Sequence, residues 1–169
     1  MKYIDPELRK REFESIYDSC YDRIYRYARM LLLNKEDAED ITSDTFIAAY
    51  LAFDSFDPSK ASAITWLTRI AHNKAVNLMR SAAFTRNDAL EDELIRADTT
   101  DIAGDVENAD FVTRLYSRLQ PSYRDFLNLR YVLDLKDGEI AELTGLQVKT
   151  VNKRFQRLLE KCRKLMTEG

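Results

Sequence analysis

Six polar side chains near the C-terminal end have the types and spacing to grip a polyanion: Lys149, Thr150, Asn152, Lys153, Arg154 and Arg157. Lysine and arginine neutralise phosphates, while asparagine, threonine and arginine can read base edges. Between Leu146 and Met166 seven Lys or Arg stand against one acid, Glu160. Opposite them Val148, Val151, Phe155, Leu158, Leu159, Cys162 and Leu165 recur at steps of three and four, which places them on one helical face. Upstream, Glu139-Ile140-Ala141-Glu142-Leu143 spaces as a short amphipathic helix, and Gly145 can take the left-handed backbone that ends it. Ala141 offers a small residue at the crossing and Val151 a branched apolar partner. The stretch from Gly138 to Lys164 therefore predicts a helix-turn-helix whose second helix suits a DNA major groove. An ordinary helical hairpin with a solvated basic face is the alternative.

A second polar face falls on a helix expected from about Ser62 to Arg80. Ile64, Leu67, Ile70, Ala71, Leu78 and Met79 are its apolar side, and Thr65, Arg69, His72, Asn73, Asn77 and Arg80 its polar side. Amides, cations and neighbouring aromatics suit an unpaired nucleic-acid strand. Trp66 reads as core and His72 as a surface imidazole, because no carboxylate or nucleophile pattern accompanies it. A third group is acidic. Glu36, Asp37, Glu39, Asp40 and Asp44 crowd a helix expected from Lys35 to about Phe53. The helix dipole favours first-turn acids such as Glu36 and Asp37, but it does not reach Asp40 or Asp44. Those two read as a surface for a basic partner, or as ordinary solvated charges.

The elements that must carry these groups are helical nearly throughout. Strand-like alternation is absent and the chain has only four glycines and three prolines, so an all-α fold is expected. Phe13, Tyr17, Tyr21 and Tyr25, four apart, predict one packed face of a first helix, capped off before Asn34, which itself caps the next. Pro58 with its Asp and Ser neighbours marks a loop over 53–60. From Phe84 to Asp110 nine acids face two arginines, a net of −7, so the overall −3 hides +4 elsewhere. That stretch has too little apolar surface to fold and reads as a mobile tether, with Leu90, Leu94 and Ile95 able to form at most one turn. The second unit starts near Asp110, with Phe111, Leu115, Tyr116 and Leu119 on one helix and Pro121 opening the next. The two units are expected to tumble independently on the tether. No apolar run approaches a membrane span and no leader opens the chain, so a soluble, cytoplasmic protein is expected. Cys20 and Cys162 read as buried thiols, and a single histidine argues against a zinc site.

Three stretches, in order, resemble bacterial sigma-70 family factors of the extracytoplasmic-function (ECF) group. Residues Asn34 to Phe46 resemble the family's acidic polymerase-binding helix. Trp66-Leu67-Thr68-Arg69-Ile70-Ala71-His72-Asn73 resembles its promoter-melting helix. Leu119 to Arg124, Leu129 to Tyr131, Glu139 to Glu142 and Thr150 to Arg154 resemble its C-terminal DNA-binding domain. The resemblance implies a domain 2 over 1–82, a tether over 83–109 and a domain 4 over 110–169. It implies that Asp37, Asp40 and Asp44 meet the β′ clamp helices of core RNA polymerase, with the β flap as a further contact. Phe56, Lys60, Arg69, His72, Asn73, Asn77 and Arg80 would capture the unpaired −10 strand. Lys149, Thr150, Asn152, Lys153, Arg154 and Arg157 would read the −35 duplex. The tether would thread the polymerase cleft, its charge imitating nascent RNA. An anti-sigma partner is implied, and no cofactor, metal, catalytic residue or membrane insertion. The chain departs from the family pattern at Lys136, where a capping Ser or Thr is usual and Asp137 would substitute. It also departs at Ala63-Ile64 and at Asn77.

Two other readings compete. A dimeric helix-turn-helix regulator would bind duplex DNA without polymerase, but it leaves the acidic helix and the 65–80 face unexplained. A helical-bundle metalloenzyme lacks the paired Glu-x-x-His segments such sites need.

Overall fold

The computed structural model describes residues 5–86 and 109–168, and among them seven α-helices and no strand. The acidic stretch between, including Leu90, Leu94 and Ile95, lies outside the described residues.

The first unit is three helices: α1 Pro6–Leu32, α2 Lys35–Leu51 and α3 Ala63–Arg86. Asp5 caps α1 by accepting the Glu7 N–H at 3.1 Å, and Pro6 opens it where no N–H is needed. The corner into α2 takes only two residues. Leu33 adopts φ 55°, its N–H closing on the Arg29 carbonyl, and the Asn34 side chain accepts the Asp37 N–H at 2.9 Å. A left-handed leucine costs about 1–2 kcal/mol, offset here by burial of its side chain. Ala28, Ala38, Ala49, Ala71 and Ala75 have no exposed surface, so the three helices approach closely around Ile24, Leu31, Ile41 and Leu67. Of the aromatic stripe only Phe13 is fully buried; Tyr17 and Tyr21 lie along the α1–α2 seam against Phe46, at 4.8 and 5.7 Å between ring centres. The loop expected after α2 contains one 3-10 turn, Phe53–Ser55, and α3 runs to Arg86, past the expected Arg80.

The second unit comprises α4 Ala109–Arg118, α5 Pro121–Leu127, α6 Asp137–Thr144 and α7 Val148–Thr167. After α5 a π turn, Asn128–Val132, inserts one extra residue into the helical register. It turns Leu129 and Leu133 inward and leaves Tyr131 exposed. Gly145 ends α6 at φ 70°, and the Leu146 N–H returns to the Ala141 carbonyl at 3.1 Å, the hydrogen bond of a tight glycine-capped helix end. At the start of α6 the cap differs from expectation. The Glu139 carboxylate accepts the Lys136 N–H at 2.9 Å, while Asp137 is engaged by Arg130. The Arg130 guanidinium also lies 3.6 Å from the Phe155 ring centre, which ties α7 to the π turn. Val151, Phe155, Leu158 and Cys162 bury the inner face of α7 against Ile140, Leu129 and Phe126.

The two units pack together instead of standing apart. The Arg23 guanidinium donates to the Leu133 carbonyl at 2.7 Å, and Arg124 Nε to the Leu31 carbonyl at 3.0 Å. The expectation of independent tumbling rests on the tether's lack of apolar surface, which carries no information about these contacts.

Candidate nucleic-acid interface

The structure orders the basic helix as its pattern requires. Lys149, Asn152, Lys153, Arg154 and Arg157 are exposed on α7, Thr150 is half-buried, and the apolar face below anchors them. Arg154 sits apart from the others. Its guanidinium lies 5.5 Å from the Phe126 ring centre and lines a cleft between the two units.

The polar face of α3 is divided. Asn73, Asn77 and Arg80 are exposed and line that same cleft, whose volume is about 880 Å³. Thr65, Arg69 and His72 meet the second unit, and His72 also lines the cleft. Thr65 donates to Glu139 Oε1 at 3.1 Å, and Arg69 pairs with Glu142 at 2.7 Å. His72 is buried, not a surface imidazole, and a carboxylate does accompany it. Asp125 of α5 lies 3.3 Å from His72 Nδ1, and the Tyr27 hydroxyl lies 3.0 Å from the same nitrogen. Tyr27 donates its one proton to Asp125 Oδ1 at 2.8 Å. His72 Nδ1 must therefore carry a hydrogen to bond the phenol oxygen, which assigns the tautomer. Burial first, and then the Asp125 carboxylate, push the Tyr27 phenol well above its ordinary pKa.

Ahead of α3, Phe56 stacks on Trp66 at 4.7 Å between ring centres, and Trp66 is half-buried, neither core nor free platform. Asp57 accepts the Ser59 N–H at 2.9 Å and its hydroxyl at 2.6 Å, which fixes the loop. Those bonds, with nearby Lys60, hold the Asp57 carboxyl below its usual range. Lys60 is exposed, 3.8 Å from Asp57.

On α2, Asp40 and Asp44 are exposed and Asp37 half-buried. Beside them lies a groove the sequence reading passed over, lined by Tyr17, Phe46, Ile47, Tyr50 and Leu51. Ile47 is 60% and Leu51 77% exposed, so the acids border an apolar surface. The signal was present: Ile47 and Leu51 stand four apart, off the buried alanine stripe. Among the described residues no His, Cys, Asp or Glu gather as a metal-holding group, and no helix is long and apolar enough to cross a membrane.

Residues 16–85 match the family model for sigma-70 region 2, and residues 112–162 the model for sigma-70 region 4. The ECF RNA polymerase sigma factor SigW of Bacillus subtilis is 29% identical, over 92% of this chain and 89% of that one. The ECF RNA polymerase sigma factor RpoE of Cereibacter sphaeroides is 30% identical, over 79% of this chain and 72% of its own length. Among solved structures, CnrH in complex with the cytosolic domain of CnrY superposes with TM-score 0.68 at 25% identity, covering 94% of this chain and 90% of that one. The sigma factor RpoE of Bartonella quintana, in complex with the anti-sigma factor NepR, superposes with TM-score 0.76 at 21% identity, covering 92% and 97%, and shares the fold.

Proposed function

The chain belongs to the ECF group of the sigma-70 family, and from that premise we propose how its surfaces divide the work of a sigma factor. It is a promoter-specificity subunit: it binds core RNA polymerase, directs it to promoter DNA and lets transcription begin. The observation that carries this is the ordered match to both sigma regions, with an ECF sigma factor aligned along 92% of the chain. A dimeric regulator acting without polymerase is not favoured, because it assigns no task to the region 2 half.

In our reading residues 1–82 form the polymerase-binding and −10 unit, 83–109 the tether and 110–169 the −35 unit. Exposed Asp40 and Asp44, with Asp37, dock on the basic β′ clamp helices, where charge complementarity sets encounter rate and orientation. The β flap holds the second unit. Lys149, Asn152, Lys153 and Arg157, with Thr150 and Arg154, enter the −35 major groove. Phe56, Lys60 and the α3 residues Arg69, His72, Asn73, Asn77 and Arg80 take the unpaired −10 strand. Binding to that strand stabilises the open promoter by population shift, with no chemical step by this chain. The work is done in the cytoplasm, and an anti-sigma protein restrains it.

Run-off transcription with purified core polymerase on a promoter library tests the reading. Promoter-selective transcripts that depend on the added chain are expected. Their absence, with no association to core, would sink it.

A further inference from the structure

We infer that the cleft between the two units binds a free purine nucleotide whose base carries an amino group, with Arg80 and Arg154 on its phosphate. The inference goes beyond the sigma reading and does not depend on it. The cleft has a volume of about 880 Å³, and small-molecule sites run from ~300 to ~1,000 Å³. Its walls come from α3 on one side and from α5, α6 and α7 on the other. A molecule seated there touches both units.

Three kinds of group line it. The first is cationic. Arg80 and Arg154 are exposed, and neither has a carboxylate partner among the described residues. Two guanidinium groups without acids on one cleft suit a phosphate, which each can hold by parallel N–H bonds. The second is apolar. Val76, Met79, Leu143 and Leu146 are half-buried and Phe126 is buried, so a flat ring can lie against them. The third reads a base edge. His72 lines the cleft although it is only 9% exposed. Its Nδ1–H is given to the Tyr27 oxygen at 3.0 Å, which leaves Nε2 as the acceptor edge of the ring. Nε2 has no hydrogen-bond partner among the described residues, yet it is not sealed from solvent. An exocyclic amino group supplies the donor it lacks. Asn73 and Asn77, four apart on α3, are exposed on the same cleft. A side-chain amide offers a donor and an acceptor together, the pair that an adenine edge takes.

Charge fixes which way the ligand lies. Asp125 also lines the cleft and stands 3.3 Å from His72 Nδ1, so that end repels a phosphate and favours the amino-bearing base. Arg80 stands eight residues beyond His72 on α3, about 12 Å along the helix axis. The base therefore lies at the His72 end and the phosphate at the arginines. A ligand that touches both units stabilises their packed arrangement by mass action, which makes the chain responsive to the supply of a soluble nucleotide.

Isothermal titration calorimetry on the full chain tests this, with adenosine monophosphate, inosine monophosphate, adenosine and inorganic phosphate as probes. Adenosine monophosphate should saturate one site per chain and raise the melting temperature. Adenosine and phosphate should each bind more weakly, and so should inosine monophosphate, which lacks the amino group. Arg80→Ala and Arg154→Ala should each lower affinity by about tenfold, the worth of one charge-assisted hydrogen bond. Lys161→Ala removes an exposed α7 cation that does not line the cleft, and should leave binding unchanged. Should one arginine variant lose helical circular dichroism, the other decides. No saturation at millimolar adenosine monophosphate overturns the proposal, even where a short single-stranded DNA binds through Arg80. Phosphate binding as tightly as the nucleotide means an adventitious ion only. A loss in Lys161→Ala equal to that in the arginine variants means diffuse attraction and no site. Equal affinity for the inosine and adenosine monophosphates overturns the base contact at His72. Run-off transcription without added adenosine monophosphate judges the sigma reading separately.

Discussion

Tyr27 of α1 donates its hydroxyl proton to Asp125 of α5 at 2.8 Å, a bond between residues 98 apart in the chain. The phenol has no exposed surface, so its ionisation would place a second negative charge, unsolvated, beside the carboxylate. Both effects keep it protonated far above the ordinary value of 10.0.

The pH dependence follows. The unfolded chain releases this proton near pH 10, whereas the folded chain keeps it to higher pH. The stability this group contributes is whole below pH 10 and is lost as pH rises toward the folded value. Each such proton gives a slope of about 1.4 kcal/mol per pH unit. Tyr116, whose pKa is raised by burial and then by nearby Cys162, acts in the same direction. Denaturant melts at pH 9 and pH 11 should show a drop that is smaller in Tyr27→Phe. Equal drops in both proteins would contradict the assignment.

Asp40→Lys with Asp44→Lys should weaken association with core polymerase, mainly by slowing encounter. Binding to duplex DNA should persist, because both residues are exposed on α2 and not on α7. Filter binding to duplex and surface plasmon resonance on immobilised core separate the two. Joint loss of both activities would point to misfolding and remove the assignment of faces.

Lys149→Ala with Lys153→Ala should reverse that pattern. Two phosphate contacts would vanish, so affinity for the −35 duplex should fall across sequences and the log–log salt slope should shrink by about 2. Titrations at three salt concentrations measure it. An unchanged slope would mean that these lysines do not meet phosphate.

Gly145→Ala tests the bend between α6 and α7. Space is not the obstacle, since an added Cβ meets nothing within 4 Å. The backbone is, at φ 70°. A cost of about 1–2 kcal/mol is expected, a fall of roughly 2–8 °C in melting temperature for a chain of this size. Gly145→Asn should lose less, because asparagine tolerates the left-handed region. A thermal scan that ranks alanine at or above glycine would contradict it.

Much of the molecule was written locally. Asn34, Pro121 and Gly145 each act on the backbone within a few residues, so the helix starts and stops they control could be read directly. The apolar face of α7 follows from a period near 3.6, which is visible in the sequence itself. The uneven distribution of charge also needed no coordinates: an acidic helix, a basic helix and an acidic stretch between.

His72 shows where local reading stopped. Its own neighbours contain no acid that marks it, so it was expected at the surface; its partners Tyr27 and Asp125 come from other helices, one in each unit. Thr65 and Arg69 read as a free face for the same reason, and the spacing of Glu139 and Glu142 shows only a short amphipathic helix, not that they meet α3. Periodicity shows which side of a helix is apolar, but not what another helix brings to its polar side. Helix identity, caps and charge belong to neighbours in sequence, and sequence alone determined them. The burial of His72, the packing of the two units and the covering of half the α3 face depend on groups far apart in the chain meeting in space, and only the tertiary structure decided those.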